Sequence, residues 1–259
     1  MGTSFTLADT PTLDDLQVFL ARAARIEEGS VRLIAGSGVL AVYAAVFYPV
    51  GLLDESPTVL GLRTVALADA GTGHVEFDVV VPIRSLLQRL ENAQAAAAQA
   101  AAAQTAAAQT AAAQAAAAQT TTAQTAAGSD AADRVTISLP MEVNTVTWSA
   151  ISPPRGGWRP IPGTTSALLD RAARSGIDEV AGAVPDAVGE QIVRRVRSEV
   201  WSRGIDGLEH VPAGAAFAAF GLGFLGDDEV RMFETGPWTR LTTRRGHVLV
   251  KRKAWTLSR

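Results

Sequence analysis

An α+β fold, built as two small units with mainly antiparallel sheets and separated by an Ala/Gln low-complexity tract, is predicted from three observations. Glutamine recurs at every fifth position from Gln94 to Gln124, in a run that is otherwise almost pure alanine and threonine. On either side, short β-branched and aromatic runs alternate with glycine turns. Between them lie stretches whose apolar residues recur at helical spacing.

The tract reads AQAAAAQAAAAQTAAAQTAAAQAAAAQTTTAQTAA over Ala93–Ala127, with no charge, no aromatic and no aliphatic side chain larger than alanine. It cannot bury enough apolar area to join a core. A five-residue step turns a helix about 140° past a full turn, so the glutamines walk round the cylinder and leave no apolar stripe. Alanine still favours helix, so the tract reads as a flexible or isolated helical arm, and the Thr120–Thr122 cluster frays it. The domain boundaries follow: an N-terminal α+β unit at 1–92, a linker at 93–133 and a C-terminal α+β unit at 134–259.

In the first unit, Pro11-Thr12-Leu13-Asp14-Asp15 reads as a helix start with Thr12 as the cap. Leu13, Leu16, Phe19, Leu20, Ala23 and Ile26 share one face, and Gly29 closes the helix. Val31–Ala35 and Val39–Phe47 pair across Gly36–Gly38; Thr58–Leu67 and His74–Val81 pair across Ala70–Gly73. A helix begins at Pro82. The uncharged run Leu33–Leu53 has the length of a membrane span, but Gly36, Gly38, Pro49 and Gly51 break it into a buried hairpin.

In the second unit, Val135–Leu139 and Val143–Ile151 read as strands and Ser152–Trp158 as a loop. Thr165–Arg174 is a helix ended by Gly176, with a short turn at Asp178–Ala181 after it. Ala187–Ser202 and Ala213–Gly221 are helices, and Glu229–Glu234, Thr239–Thr242 and His247–Arg252 close the unit as strands, with a turn at Arg245-Gly246.

The strings SPPRGGW at 152–158, AGAAFAAFGLGFL at 213–225, WTRL at 238–241 and RGHVLVKR at 245–252 resemble an uncharacterised two-domain family of actinobacterial (high-GC Gram-positive) proteins. LARAARI at 20–26 with PTVLGLRTVAL at 57–67 extends the resemblance to the first unit. It implies a lineage and a two-domain organisation, and no activity.

Chemistry is sparse. With no cysteine, thiolate metal sites, disulfides and cysteine nucleophiles are excluded. The start MGTSFTLADTP has neither a basic nor an apolar leader region, which points to a cytoplasmic protein without a membrane segment. His74, His210 and His247 are each isolated in sequence, and Asp227-Asp228-Glu229 lacks the alternate spacing of a calcium loop. Gly221–Gly226 matches G-x-G-x-x-G but follows a helix and precedes acids, so it reads as a helix terminus. No cofactor and no metal ligand set are expected.

What remains is arginine beside tryptophan. Arg155 and Trp158 sit in a loop stiffened by Pro153-Pro154 and opened by Gly156-Gly157, and Trp238 with Arg240 repeats the pair. With His247 these are the candidate binding residues; the alternative for Trp158 is a core plug, with Arg155 paired to an acid of the first unit. Residues 1–92 carry 6 basic and 11 acidic side chains, whereas Pro237–Arg259 has seven basic residues and no acid. The formal net charge of −3 nevertheless argues against nucleic acid as the partner. The sequence thus leans to a non-catalytic binding or scaffold protein, with a protein partner, a second copy or an anionic small molecule as ligand. The alternative is an enzyme using Arg155, Arg240 and His247 from distant segments on an anionic small molecule.

Overall fold

The computed structural model describes residues 3–51, 54–68, 75–118, 134–143, 146–183 and 189–252. His74, the turn at Ala70–Gly73, Trp255 and the tract beyond Ala118 as far as residue 133 lie outside them.

The chain begins with a strand the sequence reading missed, β1 (Ser4–Leu7), which pairs antiparallel with β6 (Val135–Ser138). Helix α1 (Thr10–Ile26) follows, and its cap is Asp9 rather than Thr12: the Asp9 carboxylate accepts the Thr12 amide at 2.7 Å. Its predicted apolar face is buried through Leu13, Leu16, Phe19, Leu20 and Ala23. Strands β2 (Ser30–Gly36) and β3 (Val39–Phe47) form the expected hairpin from the uncharged run, and no described helix is long and apolar enough to cross a membrane.

β4 (Thr58–Ala66) and β5 (Phe77–Pro82) do not pair with each other as expected. β5 returns to the outside of β2, because one side of β4 is held by β3 and the other by β12 (His247–Lys251), a strand of the second unit. The two units therefore share one eight-stranded antiparallel sheet, ordered β5-β2-β3-β4-β12-β11-β10-β7.

Helix α2 (Ile83–Ala118) starts on the core through Ile83, Leu86 and Leu90 and runs on into the Ala/Gln tract. Ala93 and Ala97 still touch the core and Gln94 donates to Asp14, but every side chain from Ala98 to Ala111 is exposed. Alanine propensity carries the helix where packing does not.

Val143–Ile151 is no strand. One turn at Thr147–Ala150 buries the Trp148 ring, and 146–158 lies as a strap across the sheet. The strap is preceded by Val143, whose amide donates to the Val80 carbonyl of the edge strand. It ends in a strand the sequence reading also missed, β7 (Arg159–Thr165), whose Pro160 and Pro162 suit an edge. Helix α3 (Ser166–Ala183) continues through Gly176 instead of stopping there. A Cβ at Gly176 would overlap the Trp201 ring, so this glycine admits a neighbour rather than ending a helix.

Helix α4 (Glu190–Ser202) buries Val200 and Trp201 and leaves its first turns outside. A short ribbon, β8 (Gly204–Ile205) with β9 (Leu208–Pro212), leads into α5 (Ala213–Gly221), the small-residue helix buried against α3 and the sheet. Gly221–Gly226 is a helix terminus: Gly223 has φ +71° and donates its amide to Phe220. Strands β10 (Glu229–Thr235), β11 (Trp238–Thr242) and β12 then complete the sheet.

The fold is α+β, as predicted. The two faces of the sheet differ. The helices bury one face, where Leu33, Val42, Val59, Val248, Leu241 and Met232 join a single core with α1, α2, α3 and α5. Among the described residues, the other face is covered by the strap, with a small cluster of Ala45, Leu60, Leu249, Trp148 and Trp238.

Candidate functional site

Strand alternation puts the outer-face residues in register. Across the sheet, Arg240 on β11 lies opposite Leu249 on β12 and Phe233 on β10. Trp238 and Thr242 flank it along its own strand, on the same face. The strap brings Trp158 down onto this row, with the indole Nε1 donating to the Pro154 carbonyl at 3.1 Å. The Arg240 guanidinium carbon then lies 4.6 Å from the centre of the Trp158 ring and 4.5 Å from that of Phe233.

Both contacts are at cation–π distance. Yet the Arg240 Nε is buried with no acceptor, and its other nitrogens make no hydrogen bond or ion pair within the described residues. Burial, with Arg231 nearby, pushes the Arg240 pKa below the ordinary arginine value. The charge is therefore held, oriented and not neutralised.

His247 stands at the margin. Its Nδ1 lies 3.1 Å from the Thr242 hydroxyl. Burial first, and then Arg240, Arg63 and Arg231, bring its pKa down from 6.5 to about 4. The imidazole is neutral at pH 7 and a poor proton acceptor.

Among the sequence candidates, Trp158 and Arg240 stack directly, Trp238 is buried in the same apolar cluster, and His247 lies within the field of Arg240. Arg155 is exposed and stands apart, acting electrostatically on Tyr43 and Asp78 of the first unit. The acid pairing considered for Arg155 is made by Arg32 instead. Arg32 grips Asp78 with two bonds of 2.7 and 2.6 Å and donates to the Ser149 carbonyl and Ser152 hydroxyl of the strap, both at 2.8 Å. This bond set holds the Asp78 carboxyl below its usual range.

Sequence reasoning missed Phe233, Arg231 and Arg32. For Phe233 a signal existed: alternation along 229–235 puts Arg231, Phe233 and Thr235 on one face. Asp228 is no metal ligand in waiting, since its carboxylate accepts the Arg244 amide; no cluster of three or more His, Asp or Glu suited to a metal occurs among the described residues. A cleft of about 710 Å³ lies elsewhere, lined by Phe47, Tyr48, Asp54 and Ser56 and by α4.

Two family models match the chain: Domain of unknown function (DUF8010) over residues 1–111 and Domain of unknown function (DUF8185) over residues 153–255. Together they fit an uncharacterised two-domain family. No curated protein matches. Among solved structures, the chain is similar to the DNA polymerase III subunit beta from Pseudomonas aeruginosa, at 14% identity and a TM-score of 0.45, over 99% of this chain and 66% of that one. It is also similar to the Caulobacter crescentus pol III beta, at 10% identity and a TM-score of 0.44, over 96% and 65%. The chain thus spans slightly less than two thirds of the length of these proteins.

Proposed function

We propose that the chain is a non-catalytic binding protein whose outer sheet face takes up an anionic group of its partner at Arg240. One observation carries the reading: the Arg240 guanidinium is fixed between Trp158 and Phe233 while its Nε stays buried without an acceptor. A buried donor left unmet costs about 1–3 kcal/mol, and a ligand oxygen removes that cost. Aromatic walls orient the guanidinium for a directional contact with an oxyanion. The catalytic alternative needs His247 to accept a proton near neutral pH, and a group with a pKa of about 4 does so weakly.

Thermal unfolding in an anion series at constant ionic strength tests this. Acetate, citrate and phosphate, taken together, are expected to include at least one that raises the melting temperature of the natural protein and not that of Arg240→Met. Equal responses in the two proteins to every anion would remove the site.

A further inference from the structure

We propose that the outer face of β10–β11–β12 receives a phosphoryl group, seated on Arg240 with Arg231 and Lys251 as its flanking cations. This rests on the binding reading above and names its ligand class.

The register supplies the argument. Arg240 faces Phe233 and Leu249 directly. Two residues along from those partners, on the same face, lie Arg231 and Thr235 on β10 and His247 and Lys251 on β12. Such diagonal neighbours stand about 7–8 Å apart, within reach of long side chains. Arg231 and His247 therefore lie to one side of Arg240, level with Thr242, and Lys251 lies to the other, level with Trp238.

No ion pair to a carboxylate meets them among the described residues. The strap residues 146–158, whose one charge is Arg155, and the edge strand 159–165 contain no acid. Glu142 precedes them, and Glu229, on the same face of β10 as Arg231, makes no ion pair within the described residues. Burial first, and then Arg231 beside Arg240 and Arg240, Arg63 and Arg231 beside His247, depress the two pKa values. A carboxylate brings one negative charge and leaves a surplus of cations. A phosphoryl group brings close to two, with three strong acceptor oxygens. That matches an array holding the buried Arg240 Nε and the side chains of Arg231 and Lys251, for which no acidic partner occurs among the described residues. Trp158, lying over the guanidinium, shields it from water and strengthens each charge-assisted bond.

The experiment is an NMR titration of the full chain, reading the His247 ring signals at matched ionic strength. The probes are inorganic phosphate, O-phosphoserine and acetate. Phosphate is expected to shift the ring and raise its pKa by about one unit or more, as an opposite charge at close range does, while acetate leaves it in place. Arg231→Ala and Lys251→Ala are each expected to weaken phosphate binding about tenfold, the value of one charge-assisted bond. Arg159→Ala, on the other face opposite Glu234, should not weaken it. Tighter binding of phosphoserine than of phosphate assigns an ester, and equal binding assigns the free ion. If acetate binds as well as phosphate, the phosphoryl assignment is overturned while the anion site at Arg240 stands. If neither phosphate nor phosphoserine moves the His247 signals, the phosphoryl site is overturned; if acetate and citrate also leave them unmoved, the anion site falls with it.

Discussion

Arg32 and Arg240 occupy the same face of one sheet, four strands apart, and live under opposite conditions. Arg32 has a two-pronged bond to Asp78 and two further acceptors on the strap. Arg240 has two aromatic walls and, among the described residues, no acceptor. The first arginine is finished within the chain and fastens the strap to the first unit. The second is equally well positioned but electrostatically incomplete, so the same residue type serves structure at one end of the face and leaves recognition open at the other.

The sharpest way to break this contrast is to ask whether the outer face has a true core at all. Trp238 is 4% exposed in a cluster far smaller than the one beneath the helices. Trp238→Ala should cost about 3–5 kcal/mol in chemical unfolding, as buried aromatic truncations do. A cost below about 1 kcal/mol, the range of surface substitutions, would make the face a loose veneer.

Next in size is the acid response of His247. Its folded pKa of about 4 lies below the unfolded 6.5, so the unfolded chain binds the extra proton between those values. Stability is complete above pH 6.5 and falls as pH drops toward 4, by up to about 3 kcal/mol at 1.36 kcal/mol per unit. Asp78, held below 3.8 by Arg32, adds its loss only under more acidic conditions. His247→Gln should flatten the first limb of a urea-unfolding profile against pH and leave the second. An unchanged first limb would show that neither burial nor Arg240 and its neighbours shift the pKa of this ring.

Arg32→Met should cost less, about 1–2 kcal/mol, because Asp78 is 44% exposed and water recovers part of what its carboxylate loses. The readout that sharpens the comparison is protease cleavage within 146–158, which should accelerate as the strap loses its bonds to Ser149 and Ser152. Unaltered cleavage would leave Trp148 as the fastener.

The legible parts of this architecture were those with strong periodicity: α1, the β2–β3 hairpin, α5 and the three closing strands. Local signals failed where a distant element decided the outcome. Thr58–Ala66 pairs with a strand nearly two hundred positions later, so its nearer neighbour in sequence, Phe77–Pro82, was displaced to the other edge. No element is read over Arg159–Thr165 from sequence, and its Pro160 and Pro162 are admitted to a strand by its edge position. Gly176 resembled a helix stop because its partner, Trp201, sits on another helix. At the site, one member of each arginine and tryptophan pair meets the other, Trp158 over Arg240, since the strap and β11 both reach the outer face. Arg155 reads from sequence as a binding residue, or else as paired to an acid of the first unit; the bond to Asp78 is made by Arg32.

The most direct measurement is the unfolding free energy of Arg240→Met in a buffer free of multivalent anions. Removing the guanidinium loses about 1–2 kcal/mol of cation–π contact and recovers about 1–3 kcal/mol from the unmet Nε donor. Methionine keeps the packing against both rings. The stability should therefore stay within about 1 kcal/mol of the natural protein or rise. A loss of about 2 kcal/mol or more, beyond the cation–π contribution alone, would show that Trp158, Arg240 and Phe233 form a completed structural stack, with no charge left over for a ligand.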